Sequence, residues 1–575
     1  MCGIAGIIGE GGQQDWVRTM LMAQEHRGPD AQGIYCSASR YAILGHNRLK
    51  VIDLSDRGNQ PMTDPTGRYT IVYNGEIYNY LELRETLRGN YVFKTQTDTE
   101  VLLAGYLLKG ESFLDYAIGM FSFAIWDEKE RRLFAARDRF GIKPFYYSAD
   151  PKGRLFFASE IKTLHASGQI ERIMDEAVWA TYFVTGLSDF GMKTFWSRVS
   201  LLPPGCWLEW KEGKICVKRW YEFTTQVGVE KIQTDEDARE EYLSLLKDSI
   251  RLRFRSDVAL GINLSGGLDS SLLLELVQAV HGRDNDVKIF TFTTGDYRYD
   301  ESLWVEKMLE TTRHPLIPCR LDAKDVPAMA VSVARSLDEP FGGLPTLAYA
   351  RLFEIAQAQG VVVLLDGQGM DEQWAGYDYY LNLFKGITVP IIQGSRSSPV
   401  CPDALDKSFL SRAEKIEWPI VFKDDMRQTQ YRDLFFTKIP RALRFNDRIS
   451  MRVSTELREP FLDHRLVEFA FRQPESRKIV GGKTKVFLRQ LADSFLPESV
   501  AFAPKRAVQT PQREWLRGVL SDWVEGHIQQ VQRIYGGRWF DRARMENAWQ
   551  DFKSGDGDNS FYIWQWVNLS LLSEK

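Results

Sequence analysis

The sequence predicts two unlike domains in one chain, an α+β domain built on antiparallel sheet followed by an α/β domain built on parallel sheet. Three observations carry this. Up to about Gly205, short apolar or alternating runs are separated by turn residues and few helical stretches intervene. From Glu236 onwards, strands and amphipathic helices alternate, the pattern of a parallel sheet covered on both faces. Between them, Leu202-Pro203-Pro204-Gly205 and the polar stretch from about Thr224 to Asp237 read as an exit and a connector, dividing the chain into residues 1–205, 206–235 and 236–575.

In the first domain the strands are expected at Ile4 to Ile8, Tyr41 to Leu49, Tyr69 to Tyr73, Phe121 to Trp126, Arg132 to Ala136 and Leu155 to Ala158. Helical periodicity appears at Tyr80 to Leu87 and at Thr99 to Leu108, the latter capped by Thr97 or Asp98. The second domain begins with a helix from Glu236 to Phe254 and a buried strand from Val258 to Leu264, then a helix from Ser270 to Val280. Strand Val287 to Thr293, helix Glu301 to Glu310, strand Leu316 to Leu321, helix Leu347 to Gln359 and strand Val361 to Leu365 follow. The stretch from about Gly386 to Lys407 is irregular and reads as a mobile insertion.

With 575 residues, 44% of them apolar and 26% charged, the chain has the composition of a globular protein with sizeable cores rather than a disordered one. A net charge of −4 supplies no electrostatic reason for nucleic acid or an anionic membrane as the main partner. The six cysteines are scattered without metal-ligand spacing, and the seven histidines form no HExxH cluster, as expected of a reduced, cytoplasmic protein without zinc. No basic and then apolar leader precedes Cys2, and no apolar run approaches the roughly 20 residues needed to span a bilayer.

Chemistry concentrates at three places. Cys2 directly follows Met1, so methionine removal leaves a thiol and a free α-amine on one residue. The amine, with an ordinary pKa of about 8, can take the thiol proton near neutrality and return it to a leaving group, so no catalytic histidine is needed. Second, the strand ending at Leu264 runs into Ser265-Gly266-Gly267-Leu268-Asp269-Ser270-Ser271 and then a helix. Two glycines permit a tight turn that offers amides and hydroxyls to phosphate at a helix N-terminus, and Asp269 can hold magnesium against those phosphates. Gly482-Lys483-Thr484 is not a Walker loop, because Arg477 stands where the leading glycine belongs. Third, the strand ending at Leu365 runs into Asp366-Gly367-Gln368-Gly369-Met370-Asp371-Glu372, whose Asp371 can complete the metal site from the other side.

These motifs resemble, over essentially the whole chain, the glutamine-dependent asparagine synthetase family. Cys2-Gly3-Ile4, His26-Arg27-Gly28-Pro29-Asp30, His46-Asn47-Arg48-Leu49, Tyr73-Asn74-Gly75-Glu76 and Thr97-Asp98-Thr99-Glu100 occur in the order of a class II glutamine amidotransferase. The resemblance implies a four-layer αββα glutaminase domain with an N-terminal nucleophile, followed by an ATP-pyrophosphatase (PP-loop) domain. It makes Cys2 the nucleophile, Asn74 and the Gly75 amide the oxyanion hole, and Arg48 and Asp98 the clamp on the glutamine carboxylate and amine, with Gly75 and Glu76 lining the pocket. In the second domain it assigns Ser265, Gly266, Gly267, Ser270 and Ser271 to the phosphates, Asp269 and Asp371 to magnesium, Leu264 and Gly367 to the adenylate, and Lys505 to pyrophosphate. It implies ATP and Mg2+ as cofactors, L-glutamine and a carboxylate as substrates, an internal passage for ammonia, and a homodimer.

Three positions depart from the family pattern. Gln368 stands where a glutamate is usual and cannot take up a proton at neutral pH. Arg452 replaces a small residue and either binds an anionic group of the acceptor or pairs with Glu459, which itself stands where an apolar residue is common. These departures leave two acceptors open, L-aspartate first and then another carboxylate such as a uronic acid of a surface polysaccharide. A catalytically silent glutamine- or ATP-binding regulator is the reading from another class; it would be free to lose Cys2, Asp269 or Lys505, and all are retained.

Overall fold

The structure is a computed structural model and describes residues 1–228, 233–283, 285–310, 312, 314–383, 398–504, 510–556 and 559–573. Its first domain contains twelve strands: β1 (Gly3–Ile8), β2 (Ala31–Cys36), β3 (Ala42–Arg48), β4 (Met62–Thr63), β5 (Tyr69–Ile77), β6 (Gly119–Asp127), β7 (Arg132–Arg137), β8 (Tyr146–Ala149), β9 (Leu155–Ala158), β10 (Ser200–Leu201), β11 (Cys206–Lys211) and β12 (Lys214–Arg219). They form two antiparallel sheets, ordered β10-β8-β9-β1-β3-β2 and β12-β11-β7-β6-β5-β4.

Strand β1 shows why four layers form. Its side chains alternate between faces, so Ile4 and Ile8 pack inward against Val72, Ala124 and Trp126 of the second sheet. Ala5 and Ile7 face the other way, in a cluster with Val17, Met20 and Leu21 of the helix Gln14–Ala23 and with Ile161 and Leu164 of the helix Ile161–Ala166. The second sheet is covered in turn by the helices Tyr80–Leu87 and Asp98–Lys109, which bury Leu83, Leu87, Val101 and Leu102 against Ile71, Tyr73 and Phe123. Thr97 starts the longer of these helices, its hydroxyl accepting from the Glu100 amide at 3.2 Å.

The segment expected as a connector, 206–235, is in large part not one. Cys206 to Arg219 forms a hairpin whose β11 pairs with β7 and extends the second sheet. Trp207, Leu208 and Trp210 are buried, and Glu212 and Gly213 both take positive φ at the turn.

The second domain carries a five-stranded parallel sheet, β15-β14-β13-β16-β17, made of β13 (Leu260–Asn263), β14 (Lys288–Thr293), β15 (Leu316–Arg320), β16 (Val363–Leu365) and β17 (Glu456–Arg458). Strand β13 pairs with β16 in the register Gly261 to Leu364 and Ile262 to Leu365, so the loops that follow them emerge side by side. This is where a parallel sheet binds ligands. Residues 384–397, the larger part of the stretch expected to be irregular, lie outside the described residues. Among the described residues, no helix is long and apolar enough to cross a membrane.

An apolar cluster joins the domains. Met1, Leu49, Val51, Ile52, Tyr78, Met120 and Ile142 from the first pack with Leu252, Val363, Leu434, Leu443 and Leu462 from the second. Buried ion pairs flank it: Arg27 Nη1 lies 2.9 Å from Asp447 Oδ2, and Arg458 Nη2 lies 3.8 Å from Glu76 Oε1.

Candidate active sites

Cys2 sits just before β1 and is buried beside the end of β5. Its backbone N–H donates to Asn74 Oδ1 at 3.0 Å, and its carbonyl accepts from Arg27 Nε at 3.1 Å. Asn74 Nδ2 is buried with no hydrogen-bond partner, a donor beside the sulfur that an oxyanion would satisfy. Gly75 follows in the β5–β6 ladder at a position where no side chain fits, since a Cβ would lie 2.1 Å from the Met120 carbonyl oxygen.

A cavity of about 30 Å³ beside Cys2 is lined by Met1, Arg48, Gly75, Glu76 and Asp98 among others. Arg48 is held in place by the loop after β3: Nη1 donates to the Ser55 carbonyl at 2.6 Å and to Asn59 Oδ1 at 2.9 Å, and Nη2 to the Ile52 carbonyl at 3.3 Å. Gly58 permits this packing, because a Cβ there would meet Nη2 at 2.3 Å. Opposite stand Glu76 and Asp98. Asp98 Oδ2 accepts from the Tyr73 hydroxyl at 2.8 Å and from the Ile77 amide at 2.9 Å. Burial, and then the nearby Glu456 and Asp98 carboxylates, push Glu76 well above the usual carboxylate range, and burial raises Asp98 as well. Two crowded acids facing a buried guanidinium are the two poles that an amino acid zwitterion requires. Burial raises the Cys2 thiol, which keeps its proton until a base takes it.

The second site is a cavity of about 250 Å³ at the carboxyl ends of β13 and β16. Ser265, Gly266, Gly267, Asp269 and Ser270 line it from one loop, and Asp366, Gly367, Gln368, Gly369 and Asp371 from the other. Gly266 takes φ +72°, and a Cβ on it would come within 2.8 Å of Trp304 Cβ. The Ser265 and Ser270 hydroxyls lie 3.0 Å apart across the turn that opens the helix Leu268–His281. The two loops touch at Gly367, where a Cβ would lie 3.3 Å from the Ser270 amide.

Lys485, which sequence reasoning missed, stands between the two expected metal ligands. Its Nζ lies 2.6 Å from Asp269 Oδ2 and 2.7 Å from Asp371 Oδ1. It follows the short hairpin β18 (Ile479–Val480) and β19 (Lys483–Thr484), and its backbone is left-handed at φ 56°, an uncommon conformation for lysine. A cation held by both carboxylates shows that this pair of oxygen donors would suit a hard divalent ion. The sequence signal was the basic run Lys483-Thr484-Lys485, set aside above because it is not a Walker loop. Glu301, Trp304, Tyr349 and Arg489 also line this cavity and were not anticipated.

Other expected residues fall elsewhere. Leu264 and Ser271 are fully buried and absent from the cavity lining, so neither side chain is offered to a ligand. Arg452 is also outside the cavity lining, 2.6 Å from Glu354 Oε1 and 3.0 Å from the Ser332 hydroxyl, so its carboxylate partner is Glu354 rather than Glu459. Lys505 lies outside the described residues.

Comparison with known proteins agrees with this geometry. The profile of a "Glutamine amidotransferase domain" matches residues 1–221, and that of "Asparagine synthase" matches residues 241–574. "Asparagine synthetase [glutamine-hydrolyzing] 1" of Bacillus subtilis is 28% identical, with 98% of this chain and 95% of that protein covered. A "Putative asparagine synthetase [glutamine-hydrolyzing]" of Mycobacterium bovis is 30% identical over 95% of this chain and 91% of its own length. "Amidase chry2" of Gibberella zeae is 26% identical, with 90% of each chain covered. The chain belongs to the asparagine synthase family and is a glutamine-dependent carbon–nitrogen ligase with an N-terminal glutamine amidotransferase domain.

Proposed function

We propose that the protein turns a carboxylate into its amide with glutamine nitrogen and ATP, L-aspartate to L-asparagine being the first candidate, with glutamate, AMP and pyrophosphate as the other products. One observation carries this reading: a single strand borders both sites. Glu456 on β17 reaches the Met1 ammonium at 2.7 Å and Arg458 approaches Glu76, while β17 pairs with β16, whose loop carries Asp366 to Asp371.

In the first site, loss of Met1 leaves the Cys2 nitrogen as an amine already hydrogen-bonded to Asn74. It takes the thiol proton, and the sulfur attacks the glutamine side-chain amide. Asn74 Nδ2 and the Gly75 amide receive the oxyanion, a contribution of roughly 3 kcal/mol for each such donor. Arg48 turns from the loop carbonyls to the substrate carboxylate, and Asp98 and Glu76 hold its ammonium. In the second site the Ser265 to Ser270 loop binds the ATP phosphates; Asp269 and Asp371 are the residues that would hold magnesium, which would draw charge from the leaving pyrophosphate. Lys485 then faces the departing phosphates, the role that the resemblance gave to Lys505. The apolar interdomain cluster favours neutral ammonia over ammonium as the species that crosses, in keeping with the expected internal passage. The protein works in the cytoplasm, as a homodimer.

Gln368 favours a second reading, amidation of a carboxylate other than aspartate, and the relative named an amidase fits it. Supplying ATP, magnesium, glutamine and a panel of carboxylates, and weighing the amide formed, separates the two. Asparagine from aspartate supports the first; an amide only from a uronic acid or another acid supports the second; no amide together with no glutaminase activity refutes both.

A further inference from the structure

Glu459 is a buried carboxyl that the fold does not use. It is 3% exposed, and its Oε2 makes no hydrogen bond. The charged groups around it are Lys143, Asp366, Asp447 and Asp138, and the single cation among them is engaged elsewhere: Lys143 Nζ donates to the Leu457 carbonyl at 3.4 Å and lies 3.8 Å from Asp447 Oδ1. Burial outweighs Lys143 and pushes the Glu459 carboxyl up to about 8. An acid left in this state costs stability, and an apolar residue of similar size would not.

Its position is what gives it meaning. Lys143 and Asp447 lie on the side of Cys2, because Asp447 pairs with Arg27 and Arg27 holds the Cys2 carbonyl. Asp366 lies on the other side: it lines the ATP-loop cavity, and its amide donates at 3.0 Å to the carbonyl of Arg458, the residue before Glu459. Glu459 thus stands between the place where ammonia is released and the place where it is consumed. Ammonia that adds to an acyl adenylate must lose a proton before it can remain as an amide, and Gln368, which lines the ATP-loop cavity where the resemblance places a glutamate, cannot accept one.

We propose that Glu459 receives, by way of Asp366, the proton that the ammonia nitrogen sheds as it becomes an amide. The inference rests on the amidotransferase reading above. In molecules whose Glu459 is ionised, a fraction that grows as pH approaches 8, the C–N bond forms, one N–H proton passes through Asp366 to that carboxylate, the C–O bond to AMP breaks with its electron pair leaving on AMP, and Glu459 releases the proton to solvent before the next turnover.

The test compares wild type, Glu459→Gln and Glu459→Val with L-aspartate and with D-glucuronate as acceptors, measuring glutamate, pyrophosphate and amide in the same reactions. In both variants glutamate formation and the first-turnover burst of pyrophosphate should stay within about twofold while amide falls by ~100-fold, the usual scale of proton-transfer catalysis. Hydroxylamine in place of glutamine should restore product, because it is a weaker base than ammonia and its adduct sheds a proton to water more readily. Unchanged amide per glutamate in Glu459→Gln overturns the proposal, as does a loss that hydroxylamine leaves in place. If Glu459→Gln fails to fold, folded Glu459→Val decides in the same way, and failure of both to fold makes Glu459 structural and overturns it too. No pyrophosphate from the wild type with any carboxylate refutes the amidotransferase reading instead.

Discussion

The N-terminal ammonium of Met1 lies 2.7 Å from Glu456 Oε2, with neither side chain exposed to solvent. Burial alone would raise the Glu456 carboxyl, but the ammonium and Arg458 overcome it and hold it at about 2. Met1 therefore ties the two domains together while it lines the space beside Cys2, where a cavity of about 30 Å³ remains. Mature, active protein should begin at Cys2 by intact mass and N-terminal sequencing. Protein made with methionine aminopeptidase inhibited should retain Met1 and lose at least ~100-fold in glutaminase rate, since the base that activates the thiol is then an amide.

Lys485→Met should separate the two sites. Without the lysine, Asp269 and Asp371 lose the cation that joins them, and removing one partner of a buried ion pair destabilises by roughly 3–5 kcal/mol. Thermal unfolding should show a lower Tm, recovered in part by magnesium. Pyrophosphate formation should fall by ~100-fold or more while glutaminase stays near wild type. Equal loss of both activities would contradict the placement of Lys485 in the ATP site alone.

Arg452→Met provides the opposite case. The Arg452–Glu354 pair is partly exposed, and its loss should change stability by no more than about 1 kcal/mol. The acceptor KM should not move. A KM rise of tenfold or more would return Arg452 to the acceptor site.

Much of this architecture was legible in the chain. Helix Tyr80–Leu87 and strand Leu155–Ala158 fall where their periodicity placed them, and both phosphate-loop strands end where glycine and acidic residues take over. What was missed has physical causes. The β11–β12 hairpin follows a proline-rich exit, which hid the buried Trp207, Leu208 and Trp210 and the turn at Glu212-Gly213. Strand β17 is three residues long and mostly charged, Glu456-Leu457-Arg458, because its polar side chains turn to the other domain, a context that periodicity does not contain. Lys485 escaped because one partner, Asp269, is 216 residues earlier and the other, Asp371, follows a different strand end. Cys2, Asn74, Arg48 and Asp98 could be named in advance because each sits in a short motif, whereas the Glu456 and Arg458 that bear on them come from the far domain.

Stability should also record Glu459. Its carboxyl moves from an ordinary 4.5 up to about 8 on folding, so the folded protein holds a proton that the unfolded chain releases. The stabilisation is complete below about 4.5 and is lost as pH rises through about 8. Asp366, raised by burial to about 6, adds to the same slope in the lower part of that window. Tm of the wild type should therefore fall between pH 5 and pH 8 more steeply than that of Glu459→Gln, by the equivalent of about 4 kcal/mol at most. Parallel Tm curves would mean that Glu459 is ionised in the folded protein.

The central claim is that nitrogen freed at Cys2 reaches a carboxylate activated in the other domain without leaving the molecule. The direct measurement supplies glutamine labelled with heavy nitrogen at its amide, ATP, magnesium, the reacting carboxylate and an excess of unlabelled ammonium. The account predicts an amide carrying the heavy label undiluted, with label lost and amide still formed from ammonium in Cys2→Ala. An amide from the wild type bearing the isotopic ratio of the bulk solution would contradict it.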